Sequence, residues 1–519
     1  MNIYQMKRKR SIIFSACLFC SVIGLFAQDV PNAVKFLPSP PKQGSSVQYI
    51  NDYLQYAWGK TQRSTDRAEQ AMADTPQQAT AYANAFSSII GLEITEKATP
   101  KLYTLFDYAL RMSELAAETP QNYYNTDRPY VSFGEHTLVP TYENTYRGVG
   151  SYPCVQAMAG WLSGLIMVEV VPSLQDELLA RGHAFGVSAL ISGYNWYTDV
   201  TAGRFVGSAL LSYFHSQGSF TAMVAEARKE YAEKGGPYSA TRALTRADED
   251  TTSTDSVDVD TVIPYIALAD LPDGMKYLPG PPAEASSVFG YDIAQHMDGK
   301  ALRPYSDGKQ AVEDVNNGGV DGWCKIYSSA FGKTLSESAT PQLYELLKRT
   351  DPMANNATQT AKSGYMRKRP YVFLDESTAY PADEDHLRDT GSYPSGHSSG
   401  GWLAAMVLAE INPAAQDALF ARAYQFGQGR VITGYHWQSD VDDGRLVASA
   451  VYARLHVNDE FLAQMERAKA EFNGGATRIS TPSAASEADA PIYNLQGIRV
   501  EGQPAQHGIY IQGNKKIAR

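Results

Sequence analysis

Apolar residues along most of this chain recur at helical spacing, and strand-like alternation is rare. Ser398 to Ile411 runs without an internal proline and stops at Asn412-Pro413, a normal helix end. Gln416 to Gly434 and Ser439 to Leu455 carry the apolar spacing of helices with a buried face. Alternation with glycine turns is confined to the C-terminus, in Ile492-Tyr493-Asn494-Leu495-Gln496-Gly497 and Gly508-Ile509-Tyr510-Ile511. The pattern predicts an all-α protein of helical bundles with a small β tail.

The helical pattern is written twice. Lys35-Phe36-Leu37-Pro38 returns as Lys276-Tyr277-Leu278-Pro279, and Arg128-Pro129-Tyr130-Val131 as Arg369-Pro370-Tyr371-Val372, each 241 residues later. Gly150-Ser151-Tyr152-Pro153 returns as Gly391-Ser392-Tyr393-Pro394 at the same offset, and Gly203-Arg204 as Gly444-Arg445. Ser45-Ser46-Val47 and Ser286-Ser287-Val288 fit it too, so the expected register is ungapped from about residue 35 to about residue 212. A unit this long is a whole domain, not a solenoid repeat. Between the copies, Ala247 to Asp255 is acidic, rich in Ser and Thr, and without apolar periodicity; Gly474 to Pro491 is a second polar linker. The predicted organisation is a leader (1–27), a first domain (28–246), an acidic linker (247–263), a second domain (264–473), a linker (474–491) and the tail (492–519).

Lys7, Arg8, Lys9 and Arg10 precede the apolar run Ser11 to Phe26, with a cut expected after Ala27. That is a signal peptide, too short for a bilayer anchor, and it predicts export. Cys17 is rejected as a lipoprotein site because apolar sequence continues past it. Cys154 and Cys324 fall in different copies, so no disulfide framework is expected. A formal charge of −11 argues against a nucleic-acid partner, although a local cation cluster can still hold a small anion. No later segment is apolar for long enough to span a membrane, and no histidines cluster at metal-ligand spacing. No metal and no other cofactor is predicted.

Three segments of the second copy carry chemistry: Lys362 followed after six residues by Arg369-Pro370, then Pro394-Ser395-Gly396-His397, then Arg430, His436 and Asp440. Lys362, Arg369 and Arg430 supply three positive charges suited to the tetrahedral oxygens of phosphate. Ser395 stands where an N-cap is expected, and its hydroxyl with the Gly396 and His397 amides would face an anion at the helix N-terminus. Gly396 lets the backbone approach, having no Cβ. His436 and Asp440, four apart, are expected on one helix face, the carboxylate orienting the imidazole for attack. His397, from another element, would protonate the leaving group. Each piece alone is common as a structural contact; the set, in order and at these spacings, is not.

These segments resemble the signature of the phosphatidic-acid-phosphatase type 2 superfamily. Gly391 to His397 and Gly434 to Val441 look most like class A bacterial non-specific acid phosphatases. The resemblance spans roughly residues 276 to 456. It implies an all-α fold, phosphomonoester substrates, metal-independent turnover and a phosphohistidine at His436. One departure stands out: the family's Ser before the third-motif Arg is Gly429, which implies a lost hydroxyl contact and weaker binding. Vanadium haloperoxidases share the pocket and are the second enzyme reading. A lipid phosphatase lacks its transmembrane helices here, and a surface binding module with a relic site is the non-enzyme reading. The tail resembles C-terminal sorting signals of the type IX secretion route, so periplasm and cell surface both stand open.

In the first copy the same positions are Gln121, Cys154, Val155, Gln156, Ala189 and Asn195; only Arg128 and Asp199 match. The first domain is therefore expected to be a pseudophosphatase that packs on the second in place of a homodimer partner, with Cys154 inert. Further homo-oligomerisation is left open.

Overall fold

The computed structural model describes residues 30–42, 46–238 and 262–474, together with the backbone of four short strands between 492 and 518. The expected leader and almost all of both linkers lie outside the described residues. Up to Phe472 the described chain is helical. The longer helices of the first copy are α1 (Val47–Thr61), α2 (Ala79–Ile90), α3 (Pro100–Tyr124), α4 (Val155–Val170), α5 (Gln175–Ser192), α6 (Tyr197–His215) and α7 (Gly218–Glu233). Their counterparts are α8 (Ser287–Leu302), α9 (Gly319–Phe331), α10 (Pro341–Asn356), α11 (Gly396–Ile411), α12 (Gln416–Thr433), α13 (Gln438–Leu455) and α14 (Asp459–Phe472). Proline opens α3 and α10 at their first position, where no N–H is missed. The central α4 and α11 are apolar on nearly all sides and almost wholly buried, so they form the axis around which the others pack.

The structure corrects the ungapped register. Ser46 and Ser286 are the residues that cap α1 and α8. Asp52 accepts from the Thr198 amide and hydroxyl as Asp292 does from those of Ser439. Arg63 holds the Ile191 and Ser192 carbonyls as Arg303 holds those of Ile432 and Thr433. These pairs lie 240 residues apart, one short of the offset elsewhere. One residue of slip turns a helix face by about 100°, so the contacts fix the register and the loops at either side absorb the difference.

One cluster of buried apolar side chains runs through both copies, including Phe36, Trp161 and Phe205 of the first and Tyr277, Trp402 and Phe420 of the second. The contacts between the copies are reciprocal. The Asn32 amide donates to Asp417 Oδ1 at 2.9 Å, and the Asp273 amide to Asp176 Oδ1 at 2.9 Å. Lys35 pairs with Asp417 at 3.0 Å and Lys276 with Asp176 at 2.9 Å. His215 and His456, equivalent positions, stack with ring centroids 3.5 Å apart. The described residues up to Phe472 make one compact unit, and the chain from Asn473 makes another. In that second unit β1 (Ile492–Asn494), β2 (Arg499–Val500), β3 (Ile509–Gln512) and β4 (Lys515–Ala518) form an antiparallel sheet in the order β2-β1-β3-β4. Among the described residues no helix is long and apolar enough to cross a membrane.

Candidate active site

The third-motif histidine is not on a helix, contrary to expectation. Gly434, with φ 89°, ends α12 in the left-handed region, which glycine enters without a Cβ clash. The chain folds back so that the Tyr435 and His436 amides both donate to the Arg430 carbonyl, at 3.0 and 3.2 Å. Trp437 is extended and caps α13, and Asp440 is the third residue of that helix. Its Oδ2 accepts the Trp437 amide at 2.9 Å, the reciprocal bond that Asp or Glu makes at a helix start. The carboxylate thus points back along the chain, 3.4 Å from His436 Nδ1. Capping chemistry, not a shared helix face, brings Asp440 to the histidine.

The other predicted residues converge here. Arg369 is buried and donates from NH1 to the Tyr435 carbonyl and to His436 Nε2, each at 3.1 Å. Its NH2 and Lys362 Nζ both reach the Gly391 carbonyl, at 3.3 Å. Arg430 is buried, lies over the Tyr435 ring and gives NH1 to the Val315 carbonyl, while its Nε makes no hydrogen bond among the described residues. A buried charged donor left unsatisfied is costly and suits an incoming anion. Ser395 caps α11, its hydroxyl accepting the Ser398 amide at 3.3 Å and its own amide bonded to the Asp440 carbonyl at 2.8 Å. α11 begins at Gly396, so the Gly396 and His397 amides belong to its first turn. The His397 ring lies near-parallel to Phe426 at 6.3 Å.

Mutual repulsion is the electrostatic signature of this cluster. Burial, then Arg369 and Arg430, push the Lys362 ammonium down to about 7. Burial and then Arg369 lower Arg430 to about 10. His397 is held well below its usual range by Arg430 first, then by burial, His436, Lys362 and Arg369. Burial and then Arg369 do the same to His436. Such a set relaxes when a dianion enters. Lys362 is charged below about 7 and neutral above it, so anion affinity should fall as pH rises through that value. Inhibition by sulfate, whose own charge is constant, should weaken about tenfold per pH unit above 7, and Lys362→Arg should move that limb up by at least about two units. An unmoved limb would give the titration to another group.

The PAP2 superfamily profile matches residues 353–459, which include all eight predicted site residues from Lys362 to Asp440. The chain is 44% identical over 211 residues to the non-specific acid phosphatase of Providencia stuartii, covering 40% of this chain and 84% of that protein. It is 38% identical to the non-specific acid phosphatase of Salmonella typhimurium, covering 41% and 86%, and 32% identical to the acid phosphatase of Zymomonas mobilis, covering 40% and 79%. The chain belongs to the PAP2 superfamily.

Two glycines of the PAP2 motifs have different reasons from those expected. A Cβ on Gly396 would stand 2.4 Å from the Asn355 side-chain oxygen, so any larger residue there would have to displace that amide. Gly429 faces the short helix Ser306–Asp314, where a Cβ would meet Ala311 at an ordinary 3.4 Å. Its first-copy counterpart is Ser188, whose hydroxyl donates to Asp74 Oδ2 at 2.7 Å. Asp314, the equivalent of Asp74, is buried, and its Oδ2 makes no hydrogen bond among the described residues. The hydroxyl missing at Gly429 is therefore one that would bind Asp314. Gly429→Ser should raise stability by about 1–2 kcal/mol, from helix propensity and the restored bond, and leave KM unchanged. Chemical denaturation with parallel kinetics checks this; a lower KM without stabilisation would put the hydroxyl on substrate.

Three residues were not singled out from sequence: Arg367, Ser392 and Asp292. Ser392 Oγ donates to Asp440 Oδ2 and lies 3.4 Å from His436 Nδ1. Arg367 donates from NH1 to Asp440 Oδ1 at 2.5 Å and from NH2 to Asp292 Oδ2 at 2.7 Å. Ser392 was visible as a repeated position, and Arg367 as one of four basic residues before Pro370 in the span 367–369 and Lys362. Asp292, seventy residues or more from the motifs in sequence, gave no signal.

The first copy keeps the frame without the charge. Asn195 takes the place of His436: its Oδ1 accepts from Arg128 NH1 at 3.4 Å and its Nδ2 donates to the Ser151 carbonyl at 2.9 Å and Asp199 Oδ2 at 3.3 Å. Gln121 donates to the Pro153 carbonyl. Cys154, Ala157, Ala189, Leu190 and Val200 form a small apolar cluster where the second copy has Ser395 and Arg430. Burial pushes the Cys154 thiol up to about 12, which argues against a nucleophile.

Proposed function

We propose that the second copy hydrolyses phosphomonoesters as an acid phosphatase, through a phosphohistidine on His436. The observation that carries this is His436 Nε2 held 3.1 Å from the Arg369 guanidinium with Nδ1 backed by Asp440. Nε2, unprotonated because it accepts from Arg369, thus faces the cations that would grip the phosphoryl oxygens. Nε2 forms the N–P bond as the ester P–O bond breaks, and charge on the equatorial oxygens is met by Lys362, Arg369, Arg430 and the first turn of α11. His397 gives its proton to the leaving alkoxide, then takes one from the water that cleaves the N–P bond, releasing inorganic phosphate. The cations that strip His397 of its proton in the free site are neutralised by the substrate dianion, so binding restores the acid. That proton is lost as pH rises, so turnover belongs on the acid side. The deciding experiment is a rapid acid-free quench with labelled substrate: a base-stable, acid-labile phosphoenzyme is expected, and none on the His436→Ala chain. A phosphoenzyme that survives His436→Ala would end this proposal.

His397→Ala should slow phenyl phosphate by about 10²–10⁴-fold but p-nitrophenyl phosphate far less, because nitrophenolate leaves without a proton. Equal losses on both would remove His397 from the acid role.

The first copy, on the same proposal, is a pseudophosphatase that occupies the position of a second subunit. Reciprocal pairs such as Asn32 with Asp417 and Asp273 with Asp176 are the pattern of an isologous interface and support it. The basic-then-apolar N-terminus supports export to the periplasm or cell surface.

A further inference from the structure

We propose that Arg367, braced by Asp292, is a positioning residue for the reaction: it fixes Asp440 as a carboxylate directed at His436 Nδ1, and so leaves Nε2 as the attacking nitrogen. Arg367 bonds both carboxylates and the Ser439 hydroxyl, the latter at 2.8 Å, and is itself buried. Asp292 in turn accepts the Ser439 amide at 2.8 Å and hydroxyl at 2.6 Å, at the first turn of α13. One guanidinium thus ties α8 to the start of α13, where the nucleophile is held. Its hydrogen bonds among the described residues go to Ser439, Asp440 and Asp292, and not to His436, Lys362, Arg369 or Arg430.

The first copy is a built-in control. Ser392 donates its amide to the Arg367 carbonyl as Ser151 does to that of Thr126, so Thr126 stands where Arg367 does. Asp52 and Asp199 remain in the places of Asp292 and Asp440, without that guanidinium. The carboxyls respond as expected. Burial pushes Asp440 up, but Arg367, then His436 and Ser392, outweigh it and hold it well below the usual range. In the first copy burial prevails over the Trp196 amide and Arg128, and Asp199 rises to about 6, with Asp52 at about 8. Beside Arg367 and His436 the buried acid is held as an anion; where Thr126 and Asn195 stand in their places, burial raises it. The charges around Asp440 are Arg367, Arg369 and Lys362, the carboxyls of Asp292 and Asp443, and His436. Of these only Arg367 bonds its Oδ1.

Because the proposal rests on the phosphohistidine chemistry above, its test reads a property that chemistry alone does not set. Arg367→Thr should raise the acid limb of kcat/KM by about one pH unit or more, as Asp440 becomes protonatable. It should lower kcat at pH 5 by about tenfold or more and leave inhibition by sulfate within about threefold. Arg367→Lys, keeping the charge, should return the limb to within about half a unit of wild type. If Arg367→Thr does not fold, the paired variant Arg367→Thr/Asp440→Asn removes the guanidinium with the carboxylate it directs, and leaves Asp292 to take up a proton as Asp52 does in the same place of the first copy. Its kcat should equal that of Asp440→Asn alone, since Arg367 acts only through Asp440. An unmoved acid limb, a loss of sulfate binding that tracks kcat, or a further loss in the paired variant overturns the proposal. Failure of the phosphohistidine reading would appear separately, as no trapped phosphoenzyme on the wild-type chain.

Discussion

His436→Asn lowers kcat for p-nitrophenyl phosphate by about 10⁴-fold or more while leaving the thermal transition within a few degrees of wild type. Asparagine is the informative replacement because the first copy already uses it. Asn195 keeps the Arg128 guanidinium satisfied through Oδ1 and reaches Asp199 through Nδ2, so the same network should close around asparagine at position 436. Alanine also removes the attacking nitrogen but leaves Arg369 NH1 with the Tyr435 carbonyl alone, so asparagine disturbs the fold less. The lone pair of an amide nitrogen is delocalised into its carbonyl, so it cannot take the phosphoryl group. The measurement is single-turnover kinetics with circular dichroism on the same preparation. Residual turnover above about one per cent with an intact fold would mean that another group attacks phosphorus. The reverse change, Asn195→His, should create no second site, because Ala189 and Gln121 replace two of the three cations.

Much of the site was legible because its chemistry is local. A cation before Arg-Pro, a Ser-Gly-His ahead of an apolar helix, and His with Asp four residues on are short spacings, and all eight residues named from them meet in one cluster. What escaped was set by backbone geometry. The His-to-Asp spacing fits one helix face as well as it fits a cap, and only Gly434 followed by Trp437 and an acid at the third helical position tells them apart. The role of Gly429 depended on Asp314, which lies on another helix. The one-residue slip at α1 and α8 was hidden by the Ser-Ser pairs, which satisfy either offset. Asp292 had no neighbour in sequence to give it meaning, and Arg367 was one basic residue among several until Asp292 and Asp440 were placed beside it.

Expressed without the first copy, residues 262–474 should not remain an active monomer. Deletion strips Phe36 from Phe420, where the rings stand 5.7 Å apart, and Phe205 from Trp402, also at 5.7 Å. It removes the Trp161 donor from Ser449 and leaves His456 without the ring stacked on it. Phe36, Phe420, Phe205, Trp402 and Trp161 belong to a core continuous through both copies, and the exposed apolar area would exceed what monomers usually tolerate. Two outcomes fit the interface. The fragment aggregates, or it pairs with itself, its own Asp273–Lys276 arm taking the place of Asn32–Lys35 against Asp417 of the second molecule. The second is testable in detail: the fragment should run as a dimer by light scattering and regain activity with concentration, and Asp417→Lys should shift it toward monomer and aggregate. The same substitution in the full chain breaks only one of the two reciprocal contacts and should cost less. A fragment that stays monomeric, stable and fully active at micromolar concentration would mean that the first copy holds nothing the second needs.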